Sequence, residues 1–157
     1  MSAPALVDAL RNRHQTVSFC ESLTAGLAAA TLATVPGASA VLRGGLVTYA
    51  TEVKSHFLSV PVEELEAQGV VSAKTAQAMA EAAVRETGAD WGLSLTGVAG
   101  PDPQEGKSAG TVFVGIVGPG VPARGIQLEQ LSGSRNAIRE AAVEEVLSLL
   151  LSTLEEN

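Results

Sequence analysis

The sequence predicts a three-layer α/β/α sandwich built on a mixed, mostly parallel sheet. Three observations lead there. Short strand-like runs alternate with Ala-rich helical runs through the first two-thirds of the chain. Gly and Pro pairs punctuate that alternation, at Pro36-Gly37 and Gly44-Gly45. The last third holds two strand-like runs joined by the short turn Gly118-Pro119-Gly120, a connection open to an antiparallel pair but not a parallel one. The chain's 157 residues suffice for one domain with a real core, and a single domain over residues 1–157 is expected.

Each element follows from its local pattern. Leu6 to His14 reads as a leading helix, and Thr16–Cys20 as the first strand, rich in β-branched and aromatic residues. Leu23 to Val35 is apolar on most sides, which suits a helix packed against a sheet, and Pro36-Gly37 ends it. Gly44-Gly45 opens a second strand, Leu46–Ala50. Thr51 to Leu58 reads as a short helix or turn, and Pro61 suits the start of a helix over Val62–Gln68. Ser72 is a plausible N-cap for a long helix that carries Ala73, Ala76, Met79, Ala80 and Ala83 on one face and stops at Gly88. Trp91–Leu95 and Thr111–Val117 are the third and fourth strands, separated by a Gly/Pro-rich loop from Thr96 to Ala109. Gly125–Leu131 reads as a fifth strand, antiparallel to its neighbour, and Ser134 caps the last helix.

Composition narrows the function. The net charge is −7, aromatics make up 3% of the chain, and no Lys/Arg cluster is present. A nucleic-acid partner is therefore not expected. No apolar run reaches membrane-spanning length, so no membrane partner is expected either. Met1-Ser2-Ala3-Pro4 lacks the pattern of a signal peptide, and the chain reads as cytoplasmic. The single cysteine, Cys20, falls in an apolar strand and reads as a buried structural thiol. The two histidines, His14 and His56, belong to no ligand-spaced cluster, so neither a metal nor another cofactor is expected. The Ala/Leu-rich surfaces of a small acidic chain point to a homo-oligomer.

The chemistry gathers after the strands. In α/β folds ligands collect at the carboxyl ends of strands. The segments that follow strands one, two and three carry Ser22, Lys54 and Thr96. Ser22 or Thr24 reads as a helix N-cap, and the same exposed position suits a nucleophile, with amides at the helix start to stabilise negative charge. Lys54 reads as a surface lysine or as the base for Ser22. No histidine is placed for a Ser-His-Asp triad, which leaves a lysine-activated serine as the nucleophilic option. Thr96-Gly97-Val98-Ala99-Gly100-Pro101-Asp102-Pro103 reads as a rigid turn or as a loop whose amides approach an anion. Gly106-Lys107-Ser108 is no phosphate-binding P-loop, since its upstream glycine is misplaced and a strand follows.

Several motifs occur together and in order: Glu21-Ser22-Leu23-Thr24-Ala25-Gly26, Pro36-Gly37-Ala38-Ser39, Gly44 to Tyr49, Lys54, Gly69-Val70-Val71-Ser72, Thr96 to Pro101, Gly110-Thr111-Val112 and Gly133-Ser134-Arg135. In these the chain resembles the C-terminal domain of the competence/damage-inducible CinA proteins, a family that includes stand-alone nicotinamide-nucleotide amidases. The resemblance covers about residues 5 to 153. It implies an α/β amidohydrolase that converts nicotinamide mononucleotide to nicotinic acid mononucleotide and ammonia without a metal. It further implies Ser22 as nucleophile, Tyr49 and Lys54 as its catalytic partners, and the Thr96-Gly97 motif as the substrate-holding loop. On that basis Leu23 and Thr24 are expected to supply oxyanion amides. Glu21, Gly26, Thr96, Gly97, Gly100 and Arg135 are expected to bind substrate, with Arg135 as the cation for the phosphate. Leu23 stands where the family usually has Cys, Ala25 where it has Gly, and Gln104–Ala109 lacks the usual Gly-Gly and Lys-Pro pattern. The alternatives are a ligand-sensing or partner-binding domain of the same fold, and an amidase for another small amide.

Overall fold

The computed structural model describes residues 1–157. Five strands form one sheet in the order β2-β1-β3-β4-β5: β1 Val17–Glu21, β2 Leu42–Val47, β3 Trp91–Gly97, β4 Val112–Gly118 and β5 Val121–Gln127. The three strands β2, β1 and β3 pair in parallel, and the β3–β4 and β4–β5 pairs are antiparallel. Two reversals bring β5 back to the direction of β3, so β4 alone runs against the rest. The sheet is thus mixed, with most strands pointing one way, as the sequence implies.

Six α-helices cover both faces: α1 Ala3–Arg13, α2 Leu27–Ala33, α3 Thr51–Leu58, α4 Val62–Gln68, α5 Ala73–Thr87 and α6 Arg135–Glu156. Helices α1, α2 and α6 share one apolar core with the sheet, in which Leu6, Leu10, Phe19, Leu93, Val146 and Leu150 are fully buried. Helix α5 crosses the opposite face, with α3 and α4 beside it. None of the helices is long and apolar enough to cross a membrane.

The seat of α5 is set by three glycines. A Cβ at Gly92, Gly115 or Gly125 would collide with the backbone carbonyl of Ala80, Ala76 or Ala73 respectively. These alanines lie along one side of α5, over three adjacent strands. Small residues on both surfaces let the helix backbone rest on the sheet, and Ser94 Oγ donates to Ala76 O at that contact. The capping serines expected for α5 and α6 are present: Ser72 Oγ accepts from Thr75 N, and Ser134 Oγ accepts from Ala137 N.

Most boundaries shift by one to three residues from the sequence reading, and three elements shift further. Helix α2 starts at Leu27 rather than Leu23, because Ala25 and Gly26 take φ of 49° and 100° and keep Ser22–Gly26 as a turn. Strand β2 runs over Leu42–Val47 rather than Leu46–Ala50. Gly44 and Gly45 are internal to it, paired with Ser18 and Phe19. Strand β5 starts at Val121, directly after the turn, because its register sets Gly125 opposite Gly115.

Candidate active site

The site lies at the carboxyl ends of β2, β1 and β3. The strand order 2-1-3 makes this a crevice where successive connections depart to opposite sides of β1. The ladders continue one residue past the strands: Ser22 N donates to Leu95 O, and Thr48 N donates to Glu21 O, both at 2.9 Å. Ser22, Thr48 and Thr96 are thereby held at one sheet edge. A cavity of about 370 Å³ opens there, lined by Ser22, Leu23, Tyr49, Lys54, the 96–104 loop and Arg135 among others. Its volume falls in the range of small-molecule pockets.

Lys54 is the decisive side chain. It sits in the second turn of α3 with 2% of its surface exposed, and Nζ lies 2.8 Å from Ser22 Oγ. Nζ also donates to Thr48 O at 2.7 Å and Tyr49 O at 3.1 Å. Burial disfavours the ammonium, and the Lys54 pKa is lowered to about 8; Cys20 and Glu105 oppose the shift. An uncharged amine has two N–H groups and one lone pair. The two carbonyls take the two N–H groups, which turns the lone pair toward the Ser22 hydroxyl. A serine in that contact can pass its proton to nitrogen as it attacks an electrophile.

Tyr49 lines the same cavity, but its phenol does not stand between serine and lysine. The side chain is about half exposed, and its hydroxyl accepts from Arg135 Nη2 at 2.9 Å. Only the Tyr49 carbonyl touches Lys54. Arg135 also donates through Nη1 to Gly100 O at 2.5 Å, so it bridges the loops that follow β2 and β3.

The turn after Ser22 departs from expectation. The first amides of α2 are taken by Glu21, whose carboxylate accepts from Ala28 N at 2.8 Å, Ala29 N at 3.1 Å and Thr24 Oγ1 at 2.7 Å. The first amides of α2 therefore meet a carboxylate inside the fold and are not offered to the cavity. Glu21 and Gly26, expected to bind substrate, lie outside the cavity lining: Glu21 caps α2, and Gly26 forms the turn before it. The amides of Leu23 and Thr24 have no acceptor in the chain. Leu23 lines the cavity, whereas Thr24 is fully buried behind it.

The loop after β3 forms one wall. Thr96, Gly97 and Gly100 all line the cavity. Thr96 Oγ1 donates to Val70 O at 3.0 Å, and the amides of Ala99 and Gly100 have no acceptor in the chain. Beyond them, Glu105 and Gly106 both take positive φ at the tip of a tight hairpin closed by Gln104 and Lys107. Glu105 folds back, and its carboxylate accepts from Val70 N and Val71 N at 2.9 Å each. Sequence reading passed over Glu105, since nothing local marks it. Arg139 was also missed; it donates to Leu23 O at 2.9 Å and Thr24 O at 3.0 Å from one turn beyond Arg135.

No cluster of three or more His, Cys, Asp and Glu side chains is placed to share a metal ion. Cys20 is fully buried, and desolvation pushes its thiol up to about 11, which keeps it protonated. His56 is exposed, its ring edge-on to Phe57.

The comparison with known proteins settles the family. The model of the CinA C-terminal domain matches residues 2–154. The chain belongs to the CinA C-terminal domain family. It is 47% identical over 152 residues to a protein of Streptococcus gordonii named as competence-damage inducible, covering 97% of this chain and 36% of that one. It is 48% identical over 142 residues to a CinA-like protein of Frankia casuarinae, covering 90% and 32%. The chain thus spans about a third of the length of these curated relatives. Among solved structures it is similar to a CinA superfamily protein of Klebsiella pneumoniae, with a TM-score of 0.93, 28% identity and coverage of 99% and 97%. It is also similar to a competence/damage inducible protein of Agrobacterium tumefaciens, with a TM-score of 0.90, 31% identity and coverage of 98% and 93%.

Proposed function

We propose that this CinA-family domain is a serine amidohydrolase that converts nicotinamide mononucleotide and water to nicotinic acid mononucleotide and ammonia. The observation that carries the reading is the buried Lys54 amine, 2.8 Å from Ser22 Oγ, in a cavity of ligand size.

In this reading Lys54 takes the Ser22 proton as Oγ bonds to the carboxamide carbon. The carbonyl π electrons move to oxygen, where the Leu23 amide, free of any acceptor in the chain, donates to the oxyanion. The tetrahedral intermediate collapses by breaking the C–N bond, and Lys54 returns its proton to the leaving nitrogen, which departs as ammonia. A water then loses a proton to Lys54 and attacks the ester carbon. The C–Oγ bond breaks, Lys54 returns the proton to Ser22, and the acid leaves and gives its own proton to solvent, where the released ammonia takes it up as ammonium. Each step uses one proton shuttled by one nitrogen, so the phenol of Tyr49 is not required in the relay. Tyr49 acts instead at the cavity rim with Arg135. The Ala99 and Gly100 amides, with Arg135, form the region for the phosphate.

The test is ammonia release from nicotinamide mononucleotide beside a panel of small carboxamides that lack the phosphate. Preferential turnover of the nucleotide supports the reading. Preferential turnover of an uncharged amide points to an amidase of different substrate, and binding of the nucleotide without ammonia release points to a sensing domain.

A further inference from the structure

Resting on that reading, we infer that Arg139 is a positioning residue for Ser22. Its guanidinium holds the turn after the nucleophile in the shape that catalysis needs.

The turn Ser22–Gly26 is held by four backbone bonds, from Ser22 N to Leu95 O, Ala25 N to Ser22 O, Leu27 N to Thr24 O and Ala30 N to Gly26 O, and none of them reaches Leu23 O. The turn belongs to no helix or strand, and Ala25 takes a φ of 49°, in the left-handed region that disfavours a residue with a Cβ. Two side chains hold it as well. Glu21 accepts from the Thr24 hydroxyl on one side. On the other, Arg139 reaches from α6 and donates through Nε to Leu23 O and through Nη2 to Thr24 O. Its remaining terminal nitrogen, Nη1, donates to Asn136 Oδ1 at 3.0 Å, and no carboxylate lies within ion-pair distance of it. The fork therefore spends its charge on two consecutive carbonyls, a geometry that lysine cannot reproduce with a single nitrogen.

Gripping these carbonyls fixes peptide planes. Ser22 O accepts from Ala25 N at 3.0 Å, which orients the Ser22–Leu23 plane and turns the Leu23 N–H to its opposite side. Arg139 alone orients the next plane, through Leu23 O, and it shares Thr24 O with Leu27 N, which donates at 2.9 Å. Ser22 Oγ is then held against Lys54 Nζ, and the Leu23 amide keeps its place in the cavity wall. Arg135, one helical turn earlier, grips Gly100 O and the Tyr49 hydroxyl. The two arginines divide the work between them. Arg139 serves the nucleophile turn, and Arg135 serves the two loops around the rest of the pocket.

The consequence is selective. Loosening the nucleophile turn disturbs bond formation at Ser22 but leaves the 96–104 wall intact. Arg139→Gln and Arg139→Lys should lower kcat about a hundredfold, the scale of loss for a displaced reacting atom, with KM unchanged. Added guanidinium should restore part of the kcat of Arg139→Ala. A second readout needs no nucleotide: labelling of Ser22 by a fluorophosphonate, in which the Oγ–P bond forms, fluoride leaves and the Oγ proton passes to Lys54. Labelling should slow in the variants by a similar factor, with the folded fraction at each assay temperature checked by circular dichroism. Wild-type kcat and labelling rate in folded Arg139→Lys and Arg139→Gln would overturn the inference. So would a loss that only follows the unfolded fraction, or a raised KM with kcat kept. If wild type labels at Ser22 but releases no ammonia from the nucleotide, the substrate reading fails and the labelling rates alone decide the role of Arg139. If wild type does neither, both readings fall.

Discussion

Raising the pH from 7 to 9 takes the proton from Lys54. Its pKa is lowered from 10.5 to about 8 by burial. At pH 7 about one lysine in ten is then uncharged, and at pH 9 about nine in ten. If the uncharged amine is the base, kcat/KM for ammonia release rises about tenfold across that range and levels off above it. An ordinary lysine at 10.5 would still be rising tenfold per unit at pH 9. Stability provides a second reading of the same shift. Because the folded pKa lies below the unfolded one, the unfolded chain holds the extra proton between about pH 8 and 10.5. Burial of the ammonium therefore destabilises the fold by about 3 kcal/mol below pH 8, and that loss fades as pH rises to 10.5. Cys20 opposes this at higher pH. Its folded pKa is raised from 9.0 to about 11, so it stabilises the fold below pH 9, a contribution lost between pH 9 and 11. The comparison must therefore be with Lys54→Met, which keeps Cys20. Urea unfolding of both proteins across this range should show wild type gaining about 3 kcal/mol on the variant. A kcat/KM that is flat from pH 7 to 9, together with a pH-independent stability difference, would refute the account of Lys54.

Two further outcomes test the scaffold. Gly115→Ala places a Cβ against Ala76 O and Ser94 Oγ, so α5 must lift from the sheet. It should lower stability by about 1–3 kcal/mol, read as a lower urea midpoint, and an unchanged midpoint would contradict the close seat of α5. Glu105→Ala removes the acceptor of the Val70 and Val71 amides, which line the cavity, and frees the hairpin that follows the 96–104 wall. KM for the nucleotide should rise about tenfold with kcat little changed, and an unaltered KM would remove Glu105 from the account of the pocket.

The parts of the fold that were legible in the sequence are those set by local chemistry. Ser72 and Ser134 announce two helices because a hydroxyl at an N-cap satisfies a helix amide, and both do so. The convergence of Ser22, Lys54 and Thr96 was legible because strand–helix alternation sends strand exits to one edge. What stayed hidden depends on partners distant in sequence. The register that makes Gly44 and Gly45 internal to β2 is fixed by β1, and the start of β5 by the opposition of Gly115 and Gly125. The late start of α2 lies in a left-handed φ at Ala25, which alanine does not announce. The phenol of Tyr49 turns to Arg135, which is 86 residues away, and Arg139 reaches a turn more than a hundred residues earlier. No local pattern encodes those contacts.

Ammonia release from nicotinamide mononucleotide by wild type and Ser22→Ala, side by side at pH 9, bears most directly on the nucleophile beside the buried amine. The substitution leaves the backbone bond from Ser22 N to Leu95 O in place, so the fold and nucleotide binding should persist. The account predicts steady release by wild type and a loss of about a thousandfold or more in the variant. A variant that binds the nucleotide and releases ammonia at the wild-type rate would contradict it.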